Sequence, residues 1–314
     1  SDAETAQFNS MVGKIADSVD KNARKTVKVP REETWWSTKK SFARKFMANH
    51  RFISSLAEEL DGYGDFGGEV YSHTYQRIKQ ADDRYLDRAM RASREVNEIL
   101  DKYTKREKLG FFRKLFIPQI GESLSLNARL SFALNMGNAG NVDAMSNEYN
   151  DAQIEAVLAT LTDKDWDVVE AIWEHIDQYW PELASVEERA TGVRPAKVES
   201  VAFVTPSGRK VTGGYYPLQG DPRLSASAKK DMEARQSLEG LMGGGHAKAT
   251  TKHGSTIERV GFGRDRKVWL DLGVAFGHVD GVIRDIELRE AVVEVHRGVN
   301  HRDCVASIDT AKGE

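Results

Sequence analysis

Apolar positions recur along this chain with two different periods. From Phe66 to Glu107 there is no proline, and Tyr71, Tyr75, Ile78, Tyr85, Ala89, Val96, Ile99 and Tyr103 follow alternating steps of three and four, with Asp82 and Ala92 at the skipped positions. This heptad-like seam predicts one helix about 60 Å long at 1.5 Å per residue. Ahead of it, Thr34 to Leu60 predicts an amphipathic helix with Trp35, Phe42, Phe46 and Ile53 on a common side; Gly62, Gly64, Gly67 and Gly68 separate the two. Beyond the seam, Ser125 is placed to cap a helix carrying Leu126, Leu130, Ala133 and Leu134, which runs into the glycine and asparagine cluster Asn135 to Asn141. Such a cluster tolerates left-handed backbone and predicts a tight, structured turn. Asn150 is read as the cap of a helix from Asp151 to Leu161. Thr162 with Asp165 opens another at Asp163, bearing Trp166, Val169, Ile172, Trp173, Ile176 and Trp180 at helical spacing, and Pro181 resets it.

At Val198 the period changes. Val198 to Val204 alternates, Thr205-Pro206-Ser207-Gly208 reads as a turn, and Arg209 to Thr212 returns as a second strand. Ser225 to Met242 reads as helix stopped by Gly243-Gly244-Gly245, Val268 to Leu272 as a short extended piece, and a last helix carries Val274, His278, Val282, Ile286, Ala291 and Val295. The predicted fold is mainly α with a small β-hairpin insert, an α+β chain built as a long-helix bundle. Three regions are expected: residues 1–118 with the heptad-like helix, 119–197 helical, and 198–314 with the hairpin and further helices continuing the preceding unit.

Composition narrows the classes. The chain has 314 residues, of which 40% are hydrophobic, enough for a buried core. Its formal net charge of -3 argues against a protein that coats nucleic acid along its whole surface, while leaving local patches open. Cys304 is the only cysteine, so no intrachain disulfide or cysteine-rich zinc site can form, and a reducing compartment fits. No run approaches the roughly 18 apolar residues of a membrane-spanning helix, and Ser1 to Val12 lacks the pattern of a secretory leader. A chain that starts at Ser1 and stops at Glu314 without a structural terminator reads as a piece of a longer polypeptide, whose other parts would be partners.

The candidate chemistry is sparse. His246, His253, His278, His296 and His301 lack metal-ligand spacing, and no H-E-x-x-H occurs. Asp163, Asp165, Asp167, Glu170, Glu174 and Asp177 read as the solvated face of a capped helix opposite the tryptophans. No nucleophile elbow, Walker A or dinucleotide fingerprint appears, so no catalytic residue, metal ligand or cofactor is assigned. The basic segments 21–51 and 102–114 carry more signal. In the first, Lys39, Lys40, Arg44 and Lys45 accompany aromatic residues; in the second, Lys105, Arg106, Lys108, Arg113 and Lys114 mix with Phe111, Phe112, Leu115 and Phe116 in a basic aromatic elbow ending at Pro118. Such interleaving suits phosphate binding and base stacking, which makes Lys39, Lys40, Arg44, Lys45, Arg113 and Lys114 candidates for contact with DNA or RNA. It equally suits neutralisation by the acidic segment 143–188 within the fold.

Two motifs are expected to be structural. In Gly213-Gly214-Tyr215-Tyr216-Pro217 the glycines permit close backbone approach and the tyrosines anchor the hairpin on the helices. In Gly137 to Asn141, the Asn138 and Asn141 side chains are expected to bond backbone groups.

These motifs belong to an ordered set spanning Ser123 to Asp303. It begins with Leu134-Asn135-Met136-Gly137-Asn138 and Asn141, and passes through Asp165-Trp166, Tyr179-Trp180-Pro181, Gly192-Val193, Pro195 and Val198-Glu199. It closes with Gly213 to Pro217, Ala249-Thr250-Thr251, His253-Gly254, Thr256, Arg259-Val260, Leu270-Asp271-Leu272 and His278. The order resembles a region of very large tailed-phage proteins, the large polyvalent proteins and internal virion proteins that travel with the genome into the host. Leu218-Gln219-Gly220-Asp221 and Arg284-Asp285 depart from the family's pattern. The resemblance implies a non-enzymatic structural or interaction module, packaged in or ejected from the virion and present there or in the host cytoplasm. Other virion proteins or parts of the same polypeptide would then be partners. The alternative is a nucleic-acid-binding accessory domain beside a polymerase, helicase or methyltransferase.

Overall fold

The computed structural model describes residues 68–224 and 267–299, with Ser10, Asp61 and Lys229 as isolated positions. The basic stretch holding Lys39, Lys40, Arg44 and Lys45, and the expected helix Ser225 to Met242 apart from Lys229, lie outside these residues. The described chain is mostly helical with two small antiparallel hairpins. It divides into two units, one holding 68–85 and 287–299, the other 86–224 and 267–286.

In the smaller unit, α1 (Glu69–His73) begins after Gly68, and the Asp61 carboxylate accepts from the backbone N–H groups of Val70 at 3.0 Å and Tyr71 at 2.7 Å. Those donors have no partner inside a first helical turn, so a carboxylate from outside the helix supplies one. The chain restarts after Thr74 as α2 (Tyr75–Leu100). In this unit Ala81 packs against Leu288 and Ala291 of the last helix, α9 (Gly273–Val299). Arg84 pairs with Glu287 at 2.8 Å, and Arg77 with Glu294. The expected seam is shallow: along α2 the fully buried apolar positions are Ala81 and Ala92, while Tyr75, Ile78, Tyr85, Val96 and Ile99 are half-buried, as is Tyr71 of α1.

The long helix ends at Leu100 instead of continuing to Glu107. Thr104 there opens a new helix, α3 (Lys105–Leu109), through a capping box: its hydroxyl accepts from the Glu107 N–H while the Glu107 carboxylate accepts from the Thr104 N–H at 2.7 Å. The local start signal overrides the seam.

In the larger unit each helix start follows from its first residues. Ser125 caps α4 (Leu126–Leu134), Asn138 caps α5 (Ala139–Ser146), Asn150 with Gln153 boxes α6 (Asp151–Leu158), and Thr162 with Asp165 boxes α7 (Asp163–Asp177). Pro181 sits in the first turn of α8 (Trp180–Thr191), where its missing N–H costs no helical bond, and Gly192 ends that helix. Trp166, Val169, Ile172, Trp173 and Ile176 of α7 are buried as their spacing predicts.

The acidic face of α7 differs from its solvated reading. Asp165 is buried and accepts from the Tyr103 hydroxyl at 2.6 Å, Asp167 binds Arg209 at 2.6 Å, Glu170 also pairs with Arg209, and Asp177 holds Lys197 at 2.6 Å. A capping-box side chain must turn back over its own first turn, and here that direction points inward. Among the described residues Arg88, Arg209 and Lys197 meet acids of this region, with Arg88 gripping Glu182 at 2.9 and 2.6 Å.

The expected hairpin forms as β3 (Phe203–Val204) with β4 (Lys210–Val211). A second hairpin occupies the elbow, where no strand was expected: β1 (Lys114–Ile117) pairs with β2 (Glu122–Ser125). Its strands are four residues each and flank a turn at Pro118 to Gly121. Strands that short carry too few alternations to stand out among basic and aromatic neighbours.

Candidate functional site

Two regions of the larger unit concentrate the polar and aromatic residues singled out in the sequence. The first joins the asparagine turn to the Gly213–Pro217 motif. Asn135-Met136-Gly137 forms a short 3₁₀ turn after α4. The Gly137 carbonyl accepts from the N–H groups of both Val201 at 2.9 Å and Gly214 at 3.0 Å. A methyl group on Gly137 would lie 2.5 Å from the Gly214 carbonyl oxygen and 2.6 Å from the Trp173 ring. Gly213 adopts φ 70°, a left-handed conformation open to glycine at little cost, and so turns the chain into this contact.

Side chains complete the knot. Asn138 Oδ1 accepts from the Asn141 N–H at 3.0 Å, and Asn141 Nδ2 donates to Asn135 Oδ1 and to the Tyr216 carbonyl, both at 2.9 Å. Asn135 Nδ2 donates to the Ser131 carbonyl at 2.8 Å, and Trp173 Nε1 to the Leu134 carbonyl at 3.1 Å. The Tyr216 hydroxyl lies 3.0 Å from Ser131 Oγ and donates to the Asp271 carbonyl at 2.9 Å. Tyr216 is 1% exposed, Tyr215 is buried with its ring 5.3 Å from that of His278, and burial drives the Tyr216 hydroxyl pKa upward. Asn138 Nδ2 is buried without a partner among the described residues. The knot therefore holds five separate stretches of chain together, around residues 131–141, 173, 201, 213–216 and 271, with most of its polar groups turned toward one another. Ser131, Trp173, Val201 and Asp271 belong to it although nothing in their sequence neighbourhood points to these particular contacts.

Beside the knot lies a cavity of about 390 Å³, between the first turn of α5 and the extended segment 196–201. Tyr215, Tyr216, Lys197 and Glu199 are among its walls. Its lining holds no histidine, cysteine or aspartate, and Lys197 is already paired with Asp177. Such walls offer shape, amides and the two charged side chains Lys197 and Glu199. Among the described residues no three His, Cys, Asp or Glu side chains gather as metal ligands, and no helix is long and apolar enough to cross a membrane.

The second region is the elbow, α3 with the β1–β2 hairpin. Lys105, Arg106, Arg113 and Lys114 are exposed, and none pairs with an acid among the described residues. The nearby acids are occupied: Asp101 holds Lys108, and Glu107 binds Lys164 at 2.7 Å while capping α3. The Lys164 ammonium and the cap hydrogen bonds hold the Glu107 carboxyl down at about 2. Between the cations stand Leu109, 89% exposed, Phe112, 74% exposed, and Phe116, 60% exposed.

Register decides which side chains share a face. Leu115 faces Leu124 and Ile117 faces Glu122, and burial of Ile117 and Leu124 marks this as the inner side. On the outer side Phe116 faces Ser123 and Lys114 faces Ser125. Phe112 is held edge-on by Phe111 at 5.7 Å between centroids, and Phe111 by Tyr103 at 5.9 Å. The elbow is anchored at both ends, by Asn127 N–H to the Phe111 carbonyl at 3.3 Å and by Gln153 Nε2 to the Gln119 carbonyl at 3.1 Å.

Of the predicted contact residues, Arg113 and Lys114 thus share one exposed surface, while Lys39, Lys40, Arg44 and Lys45 lie outside the described residues. Lys105, Arg106 and Phe112 are exposed nearby in the chain, and Phe116 shares the hairpin face of Lys114; the basic-aromatic interleaving already marked them. No protein-family model matches this chain, and no curated protein or solved structure resembles it closely enough to count as a relative.

Proposed function

We propose that this chain is a non-enzymatic interaction module of a large tailed-phage polypeptide, and that it engages a polyanionic partner through the elbow. One observation carries the reading: Lys105, Arg106, Arg113 and Lys114 stand exposed and unpaired among the described residues, around side chains as apolar as Leu109, Phe112 and Phe116. Cations left unneutralised next to uncovered apolar surface are a combination that folding alone does not reward, and it suits an external anionic surface. The phage part of the proposal rests on the motif order from Leu134 to His278, and it places the chain in the virion or the host cytoplasm.

Retention on heparin tests the surface. The chain is expected to bind at low salt, and Arg113→Glu with Lys114→Glu to elute earlier. A chain that flows through, or whose elution ignores the charge reversal, contradicts the reading. Mass spectrometry of purified particles tests the packaging.

A further inference from the structure

We infer that the outer face of the β1–β2 hairpin is a stacking platform for unpaired bases, so that the elbow takes single-stranded nucleic acid in preference to duplex. The inference rests on the elbow being the working surface and names its occupant.

Three features select that occupant. First, Phe116 stands opposite Ser123 and beside Lys114 and Ser125, so no bulky cross-strand neighbour covers its ring. An open aromatic face flanked by a cation is what a base and its phosphate require, and every base offers a π face. Second, Phe112 is presented by an edge-to-face chain running back to the buried Tyr103, so its ring is held in place before anything binds. Little ordering entropy remains to be lost there on binding. Third, exposed cations precede and separate the two rings along the chain, Lys105 and Arg106 on α3 and then Arg113 and Lys114 between Phe112 and Phe116, so positive charge for a backbone lies close in sequence to both rings.

The same geometry disfavours a lipid surface. Interfacial binding by a helix needs a continuous apolar face, whereas α3 carries mainly charged residues, the exposed rings lie outside it, and the hairpin tip Pro118 to Gly121 is tied to α6 through Gln153 with Gln119 exposed. The exposed rings lie before the tip and along the strand. A purely acidic segment such as polyglutamate would satisfy the cations but leave the Phe116 face uncovered.

The test is fluorescence anisotropy with the full chain and a labelled oligothymidine, compared with a duplex of equal length, across a salt series. Binding to the single strand is expected to be the tighter. Phe116→Ala is expected to weaken it about tenfold, the loss of a single base stack. The salt slope should stay unchanged, because no phosphate contact is lost. Arg113→Glu with Lys114→Glu should weaken both ligands and flatten the slope. Circular dichroism of each variant checks the fold.

Equal affinity for single strand and duplex, or an unchanged affinity in Phe116→Ala, overturns stacking while leaving the polyanion reading intact. Competition by polyglutamate as effective as by unlabelled oligonucleotide also overturns it, as does Phe116-dependent binding to phosphatidylserine vesicles without binding to the oligonucleotide. Failure to bind heparin as well as both oligonucleotides removes the underlying reading too.

Discussion

The knot and the elbow are made of similar materials turned in opposite directions. Both bring aromatic rings and strong hydrogen-bonding or charged groups into one small volume of the same unit. In the knot, Asn135, Asn141, Tyr216 and Trp173 spend their donors on one another and on Ser131, Leu134 and Asp271, and Tyr216 is 1% exposed. In the elbow, Phe116 is 60% exposed and Arg113 and Lys114 meet no acid among the described residues. Buried polar groups must be paired or they destabilise the fold, whereas exposed ones are satisfied by water and remain available. A motif rich in Gly, Asn and Tyr is therefore not by itself a site, and the direction in which its hydrogen bonds run decides whether it builds or binds.

Four measurements sharpen that contrast, beginning with the knot. Tyr216→Ala removes a buried ring and the hydrogen bond to the Asp271 carbonyl, and is expected to cost about 3–5 kcal/mol in chemical denaturation. A midpoint close to wild type would mean the ring is not part of the core. Asn141→Ala leaves the Tyr216 carbonyl and Asn135 Oδ1 buried without their shared donor, and roughly 1–3 kcal/mol for each such group sets the expected loss. Thermal melting reads it directly, and a change under half a degree would show that the amide is dispensable.

The elbow should behave in the other way. Phe112→Ser with Phe116→Ser is expected to cost no more than about 1.5 kcal/mol, the worth of the edge contact between Phe112 and Phe111, while weakening single-strand binding and sparing the binding of heparin. A large destabilisation would mean that these rings serve the fold. The smallest effect concerns acid. Glu107 has its folded pKa depressed to about 2 by Lys164 and the cap bonds, so its contribution is fully present above its unfolded value and is lost as pH falls through the folded one. Melting between pH 5 and pH 2 should show Glu107→Gln losing less stability than wild type over that window. Parallel curves would place the acid loss elsewhere.

Helix starts were legible because capping is local. Asn150 with Gln153 and Thr162 with Asp165 announce α6 and α7 within four residues, and the mainly α fold with the β3–β4 hairpin follows from the two periods. The same signature at Thr104 and Glu107 lay inside an apolar seam long enough to mask it, which put the helix end seven residues too late. Asp165 was legible as a cap but not as a buried acceptor, because Tyr103 reaches it from 62 residues away. The members of the knot were visible one at a time, yet nothing in the neighbourhood of Asn141 specifies Tyr216. Arg113 and Lys114 could be named from charge and aromatic spacing alone. What the sequence pattern did not convey was the strand pairing that puts Phe116 opposite a serine.

The spans bridged by the knot set an order of events. Its hydrogen bonds join residues 55, 75 and 85 positions apart, and the neighbouring bond from Leu272 to Asn127 closes 145. Chain closure over such distances loses entropy before any contact compensates, whereas a boxed helix of eight residues forms from its own neighbours. Helices α6 and α7 are thus expected to form early in refolding and the knot last, making Tyr216 a position whose loss speeds unfolding far more than it slows folding. Stopped-flow refolding and unfolding of Tyr216→Phe separates the two: the change should fall on the unfolding limb, and a shift confined to the folding limb would put the knot in the nucleus instead.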